Sequence, residues 1–258
     1  MRLKQFINED RGNELSLDDT KKLLQSKCKK AVEAYKKGNV IYRGVNIFDD
    51  FSYIQPSKFT RKSKNTKNFY TLINDNSPAW AKYPKRSKSI ICTTNKHTAQ
   101  FYGDVYIVFP FDGAKIGVCS SYDYWSSFPF LKKVTGIEDM DEFNRRLGSL
   151  LGKRLLPINK EMIRDYTEIG IDNAKTYKQI QNIFKKFDKF IKEYDTGDDE
   201  SILDVLINSY GHKKLLKEYD KFMNLEKYLQ YLLDPKKNEF ELKTIEDKLP
   251  KDREVWTD

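Results

Sequence analysis

Cysteine and histidine are scarce in this chain, with three of the first and two of the second among 258 residues. Cys28, Cys92 and Cys119 are odd in number and form no CxxC pair, which argues against a disulfide framework and fits a reducing compartment. His97 and His212 leave too few ligands for structural zinc, so no metal is expected. His97 stands five residues after Cys92, and nothing in the intervening turn makes them a thiol–imidazole pair. No apolar run approaches the length of a membrane span, and the opening Met-Arg-Leu-Lys-Gln-Phe-Ile-Asn-Glu-Asp lacks the continuous apolar segment of a signal peptide. A soluble, unprocessed protein with no membrane contact is expected. No GxxxxGK loop, GxGxxG turn or HExxH helix is present, which removes the motif-based cases for nucleotide cradles and zinc proteases.

Charge, by contrast, is plentiful and uneven. The net +9 comes from 47 basic and 38 acidic residues. Residues 56–88 carry nine basic side chains (Lys58, Arg61, Lys62, Lys64, Lys67, Lys82, Lys85, Arg86, Lys88) against Asp75, a net +8. The remaining 38 basic and 37 acidic residues leave +1 for the rest. A patch this concentrated points to phosphates, whether of a cofactor, a nucleic acid or an acidic partner. The competing reading is a solvated loop in a lysine-rich chain of mean hydropathy −0.73.

The length suits one compact domain, 1–258, elaborated by an insertion. Ser16 and Asp19 have capping-box spacing, and Leu24, Cys28, Ala31, Val32 and Tyr35 recur at helical spacing up to Gly38, which predicts one amphipathic helix. Strands are expected at 40–45, 89–94, 105–109 and 114–119, the last two flanking an Asp-Gly turn at 112 and 113. The basic segment between the first two reads mainly as loop, and 95–102 as a short helix stopped by Gly103. From about 138 to 234 the period becomes helical. Ile180, Ile183, Phe184, Phe187, Phe190, Ile191 and Tyr194 mark one apolar stripe, and Leu215, Leu216, Tyr219, Phe222, Met223, Leu229 and Leu233 another, ending before Pro235. Both stripes read as core. Strand-like sequence returns at Phe240 and again at Glu254.

Three short pieces place polar groups at the ends of such strands: Val-Ile-Tyr-Arg-Gly-Val at 40–45, Ser-Ile-Ile-Cys-Thr-Thr at 89–94 and Asp-Arg-Glu-Val-Trp at 252–256. Arginine's planar fork suits anionic oxygens, and a glycine beside it lets backbone approach a ligand. Small hydroxyl residues can tie neighbouring strands. A carboxylate stabilises positive charge where it develops. Cleavage of the nicotinamide–ribose bond of NAD builds such charge on the ribose, as glycoside cleavage does.

In that order the pieces resemble the arginine-serine-glutamate class of mono-ADP-ribosyltransferases, including bacterial toxins and enzymes of tailed bacteriophages. Tyr42, Arg43 and Gly44 match its Tyr-Arg-Gly. Cys92, Thr93 and Thr94, followed by Ala99, Phe101 and Gly103, stand where its Ser-Thr-Ser motif and short helix stand, and either Cys92 or Thr93 takes the first serine's place. Asp252, Arg253 and Glu254 before Val255 and Trp256 match its Glu-x-Glu or Gln-x-Glu turn, with Asp252 one methylene shorter than the usual residue. The opening nine residues and the stretch from Tyr83 through Cys92 also look like tailed-phage proteins. The resemblance covers roughly 40–120 and 240–258 and leaves out the helical block.

It implies an α+β fold in which two packed, mainly antiparallel sheets form an NAD cleft with a helical insertion at about 138–234. It also implies transfer of ADP-ribose from NAD to a macromolecular acceptor, a host protein or nucleic acid, with nicotinamide released. Arg43 and Gly44 with Cys92, Thr93 and Thr94 would bind NAD, Glu254 would stabilise the ribosyl cation, and Asp252 would help the acceptor. The implied setting is the host bacterial cytoplasm or a phage virion. Hydrolysis of NAD by water shares the site. The alternative from another class is a catalytically idle relative of the same fold that holds nucleic acid through its basic segment.

Overall fold

The computed structural model describes residues 13–46, 50–58, 60–61, 68–137, 143, 174–194, 217, 221–222 and 224–258. It is an α+β protein with two antiparallel sheets. The chain divides into two compact units, one within Met1–Lys62, Ala81–Ser127 and Glu239–Asp258, the other within Ser63–Trp80 and Phe128–Asn238. The expected insertion at 138–234 falls in the second, which also draws on Ser63–Trp80 and on the residues adjoining the insertion, 128–137 and 235–238.

The first unit is built on a six-stranded sheet. Its strands are β2 (Ile41–Val45), β4 (Ile90–Thr93), β5 (Asp104–Val108), β6 (Ile116–Val118), β7 (Glu241–Lys243) and β8 (Glu254–Thr257), in the order β5-β2-β4-β8-β6-β7. Every pairing is antiparallel. The short β1 (Asn13–Glu14) and β3 (Ser52–Tyr53) form a separate two-stranded sheet. β-Branched and aromatic residues dominate β2, β4 and β8, which is why these segments favour the pleated surface.

Alternation along the strands divides the sheet into two differently furnished faces. On one, Ile41, Cys92, Val255, Ile116 and Val118 pack with Cys28, Ala31 and Ala34, closed by Ile245 and Leu249. On the other, Gly117 lies under the Trp256 ring, where an added Cβ would sit 2.2 Å from the indole. Trp256 is buried there, with Tyr124 edge-on at 5.6 Å and Phe240 at 6.1 Å, and its indole N–H donates to the Pro84 carbonyl at 2.8 Å.

The predicted N-terminal helix is two helices, α1 (Leu17–Lys27) and α2 (Lys29–Lys36), broken at Cys28. The cap is as expected, with Ser16 Oγ accepting from the Asp19 N–H at 3.1 Å and donating to its carboxylate at 2.7 Å. The break has a physical cause outside the helix. Asp112 donates its N–H to the Lys27 carbonyl at 2.7 Å and accepts the Lys30 N–H on its carboxylate at 2.9 Å, so a distant turn takes up the freed backbone groups. That Asp-Gly turn is itself not a hairpin. β5 lies at one edge of the sheet and β6 towards the other, so residues 109–115 span between them.

The basic segment holds more helix than its polar composition suggests. α3 (Asn68–Asn76) buries Phe69, Tyr70 and Ile73 in the second unit. There α5 (Pro129–Thr135), α6 (Tyr177–Tyr194) and α7 (Leu225–Leu232) supply the remaining described helices, with α6 packed on α3 and α7. Ile180, Phe184, Leu229 and Leu233 of the two stripes are buried. Asn238 closes this core, donating to the Leu232 and Asp234 carbonyls, both at 2.8 Å, and accepting the Phe130 N–H at 3.1 Å. Leu215, Leu216, Tyr219 and Met223, the side chains of Phe187, Phe190, Ile191 and Tyr194, and the opening residues 1–9 lie outside what is described.

α4 (Lys96–Gln100) is capped by Asn95, whose amide oxygen accepts from His97 and Thr98 N–H at 2.8 and 3.2 Å. It lies directly against Gly44, where a Cβ would come within 1.8 Å of the Ala99 carbonyl oxygen. Gly44→Ala is therefore expected to destabilise the first unit by ~1–3 kcal/mol through overpacking. Chemical denaturation should show a lower midpoint, whereas an unchanged midpoint would mean α4 is free to move aside.

Candidate functional site

The three sequence motifs converge on neighbouring strands. Tyr42 of β2 pairs with Thr93 of β4, and Thr93 pairs with Glu254 of β8. Cross-strand partners share a face, so Tyr42, Thr93 and Glu254 form one row. Of the hydroxyl motif's residues, Thr93 is therefore the one that pairs with Glu254. Cys92, one residue earlier, belongs to the core face, pairs with Val255 and is 4 % exposed.

The same alternation separates Arg43 from Glu254. Arg43 follows Tyr42 and so falls on the face that carries Ile41 and Cys92. Its Nη1 donates to the Ile91 carbonyl at 2.8 Å, beyond the one bridging pair between β2 and β4. Arg43 thus braces β4 from the face opposite Glu254, unlike the single shared face expected from the motifs. Gly44 also differs from expectation: its open side is filled by the Ala99 carbonyl, so the close approach it permits is that of α4.

The hydroxyl motif does tie the carboxylate strand. Thr94 donates its N–H to the Arg253 carbonyl at 2.9 Å, and its Oγ1 accepts the Arg253 N–H at 3.0 Å. Thr93 Oγ1 accepts the Asn95 N–H at 3.1 Å. Asn95 Nδ2 in turn donates to the Asp252 carboxylate at 2.5 Å. Asp252 sits at φ +55°, a left-handed conformation that aspartate tolerates better than most residues. Asp252 is therefore held at both backbone and side chain, immediately before Glu254.

Glu254 has a partner that the motifs did not disclose. Its Oε1 accepts from Arg86 Nη2 at 2.5 Å, and its Oε2 accepts the Tyr124 N–H at 3.1 Å. The two side chains are only 7 % and 14 % exposed. The Arg86 guanidinium lies 3.8 Å from the Tyr124 ring centroid and 5.8 Å from those of Trp125 and Trp256. Burial works to lower the Arg86 pKa, and the neighbouring Glu254, Tyr124 and Cys119 groups together more than offset it and hold the group above its ordinary value. Sequence reading counted Arg86 as one charge of the basic patch. The available signal was its place between Tyr83-Pro84 and the hydroxyl strand, among the few basic residues flanked by aromatic and β-branched segments.

Around the pair, the 3₁₀ turn Arg86–Lys88 is pinned by Ser89 Oγ donating to the Lys85 carbonyl at 2.7 Å and by Arg61 N–H donating to the Ser87 carbonyl at 2.7 Å. The second 3₁₀ turn, Pro56–Lys58, packs on it, and Lys88 Nζ reaches the Ser57 carbonyl at 3.5 Å. Lys58 and Lys88 of the basic segment thereby lie on adjoining turns of the first unit, with Lys85 at the start of the Arg86–Lys88 turn. Lys62, Lys64 and Lys67 lie outside the described residues.

Among the described residues no group of three or more His, Cys, Asp and Glu side chains is placed to hold a metal. Nor is any described helix long and apolar enough to cross a membrane.

The three thiols are buried. Burial pushes Cys92 up to about 12 and Cys28 up to about 11 from the ordinary 9.0, and lifts Cys119 well above it, with the Glu254 charge adding to the last. Thiolate is the reactive form, and raised values keep it from forming at neutral pH. A disulfide-exchange reagent at pH 8 is therefore expected to label none of the three in the native protein and all three after denaturation; a fast-reacting native thiol would contradict this arrangement.

No family model, curated protein or solved structure matches the chain.

Proposed function

We propose that the chain transfers ADP-ribose from NAD to a macromolecular acceptor, a host protein or nucleic acid, and releases nicotinamide. The observation that carries this reading is the row formed by Thr93 and Glu254 on adjacent strands, with the Arg43 strand next in the sheet. The reading takes this face of the sheet, at the centre of its strand order, as one wall of an NAD cleft. Glu254 faces the ribose as positive charge develops there, and Asp252, pinned by Asn95, addresses the acceptor. Arg43 supports this wall from behind through its bond to the Ile91 carbonyl. NAD enters as substrate, and the phage-like stretches of sequence support a bacterial host cytoplasm or a virion as its setting.

One observation favours a second reading. A lone carboxylate about 4 Å from a cation gains ~4 kcal/mol at an effective dielectric of about 20. The Arg86 guanidinium opposes much of that gain. A buried, fully paired Glu254 suits a catalytically idle relative that binds polyanion through the surface of Lys58, Lys85 and Lys88.

NAD turnover separates the two. Incubation with labelled NAD and bacterial lysate is expected to release nicotinamide and leave label on protease- or nuclease-sensitive polymer. Glu254→Gln should lower release by ~10²-fold or more while leaving NAD binding largely intact. Wild-type protein that binds NAD but never releases nicotinamide would refute transfer.

The idle-relative reading makes its own prediction. Neutralising Lys58, Lys85 and Lys88 should then weaken nucleic-acid binding and flatten its dependence on salt, because fewer counterions are released. An unchanged salt slope would leave these lysines as a solvated surface.

A further inference from the structure

We infer that Arg86 is the positioning residue for Glu254, fixing the carboxylate in the Thr93 row. The inference rests on the NAD reading for its catalytic consequence, though the pairing itself does not.

The geometry supports it from both sides of the bond. Glu254 is 14 % exposed and its two oxygens are taken by one guanidinium and one backbone N–H, at 2.5 and 3.1 Å. A carboxylate so enclosed keeps little of its aqueous shell, and without its cation the charge would be poorly compensated. Arg86 has little freedom of its own. Its ring contact with Tyr124 at 3.8 Å holds the guanidinium plane, while the turn that carries it is tied through Ser89, Arg61 and the Trp256–Pro84 bond. Tyr124 supplies both the stacking surface and the second donor, so one residue orients both members of the pair. Its loop is ordered by Asp123, which accepts from the Trp125 and Ser126 N–H groups at 2.9 and 3.0 Å.

Two opposed effects meet here. Arg86 reduces the field that Glu254 projects onto a cation, yet it prevents the carboxylate from turning away. Enclosure makes the second effect the larger. A lysine retains the charge but loses the planar fork and its stacking, so it should restore part of the function.

The test compares Arg86→Met, Arg86→Lys and the double variant Arg86→Met/Glu254→Gln. Nicotinamide release by Arg86→Met is expected to fall ~10²-fold in kcat, with KM for NAD within a few-fold of wild type. Arg86→Lys should recover at least about a tenth of wild-type kcat, a rescue that a merely structural role would not give in this kcat-selective form. Equal losses in both variants, or a loss confined to KM, would overturn the assignment.

Thermal denaturation supplies the arm independent of NAD. Adding Glu254→Gln to Arg86→Met should raise the melting temperature above that of Arg86→Met alone, because it removes the uncompensated charge. A further fall would overturn the pairing, and the same comparison on the Arg86→Lys background applies if Arg86→Met does not fold. Wild-type protein that releases no nicotinamide, combined with the expected melting pattern, would sink the NAD reading and leave Arg86 paired to Glu254.

Discussion

The ladder between β4 and β8 is the constraint on which the first unit depends. Ile90 to Thr93 pair in order with Thr257 to Glu254, and β8 then passes the same register to β6. Strand periodicity is two, so a slip of one residue would send Val255 out of the core and Glu254 into it. Hydrophobic burial therefore fixes where the carboxylate sits. Val255 and Cys92 are held by the core formed with Ala31, Ala34 and Ile41, and Glu254 and Thr93 take the opposite face as a consequence. The Thr94–Arg253 exchange of hydrogen bonds extends the ladder beyond the strands and locks its end.

Enclosing a charge on the face opposite the core has a cost, which the aromatic cluster and Arg86 offset together. Tyr124, Trp256, Phe240 and Tyr83 crowd around the pair, and two of their polar groups are bonded within the same unit: the Trp256 indole to the Pro84 carbonyl and the Tyr83 hydroxyl to the Phe240 carbonyl at 2.9 Å. Losing one member of such a buried pair typically costs 3–5 kcal/mol, whereas an isosteric apolar replacement of both is often neutral. A charged pair here is thus weak evidence for stability.

Much of the first unit was legible in the sequence because its strands are short runs of β-branched and aromatic residues bounded by turn residues. Ile41–Val45, Ile90–Thr93 and Glu254–Thr257 fall where the motifs place them. The break at Cys28 was not legible, since it is imposed by Asp112, more than eighty residues away. α3 was hidden because Asn-Phe-Tyr-Thr-Leu-Ile-Asn-Asp-Asn has weak intrinsic helical preference and is stabilised by burying Phe69, Tyr70 and Ile73. At the site, Thr93 and Glu254 were found from their order and strand context. Arg86 was not, because a patch count treats every basic residue alike and its partner lies 168 residues on. The opposed placement of Arg43 follows from register, which no single segment specifies.

The position of β8 between β4 and β6 bears on how this molecule is made. β4 and β6 emerge from synthesis well before the strand that must lie between them. Until residues 254–257 arrive, each carries an open edge of unpaired backbone groups, and these are groups that seek a strand from any source. The sheet is closed by a late, non-local event, the kind that slows folding and exposes intermediates to association. Nascent chains halted short of β8 would present two matching docking edges, and would be natural clients for a holding chaperone.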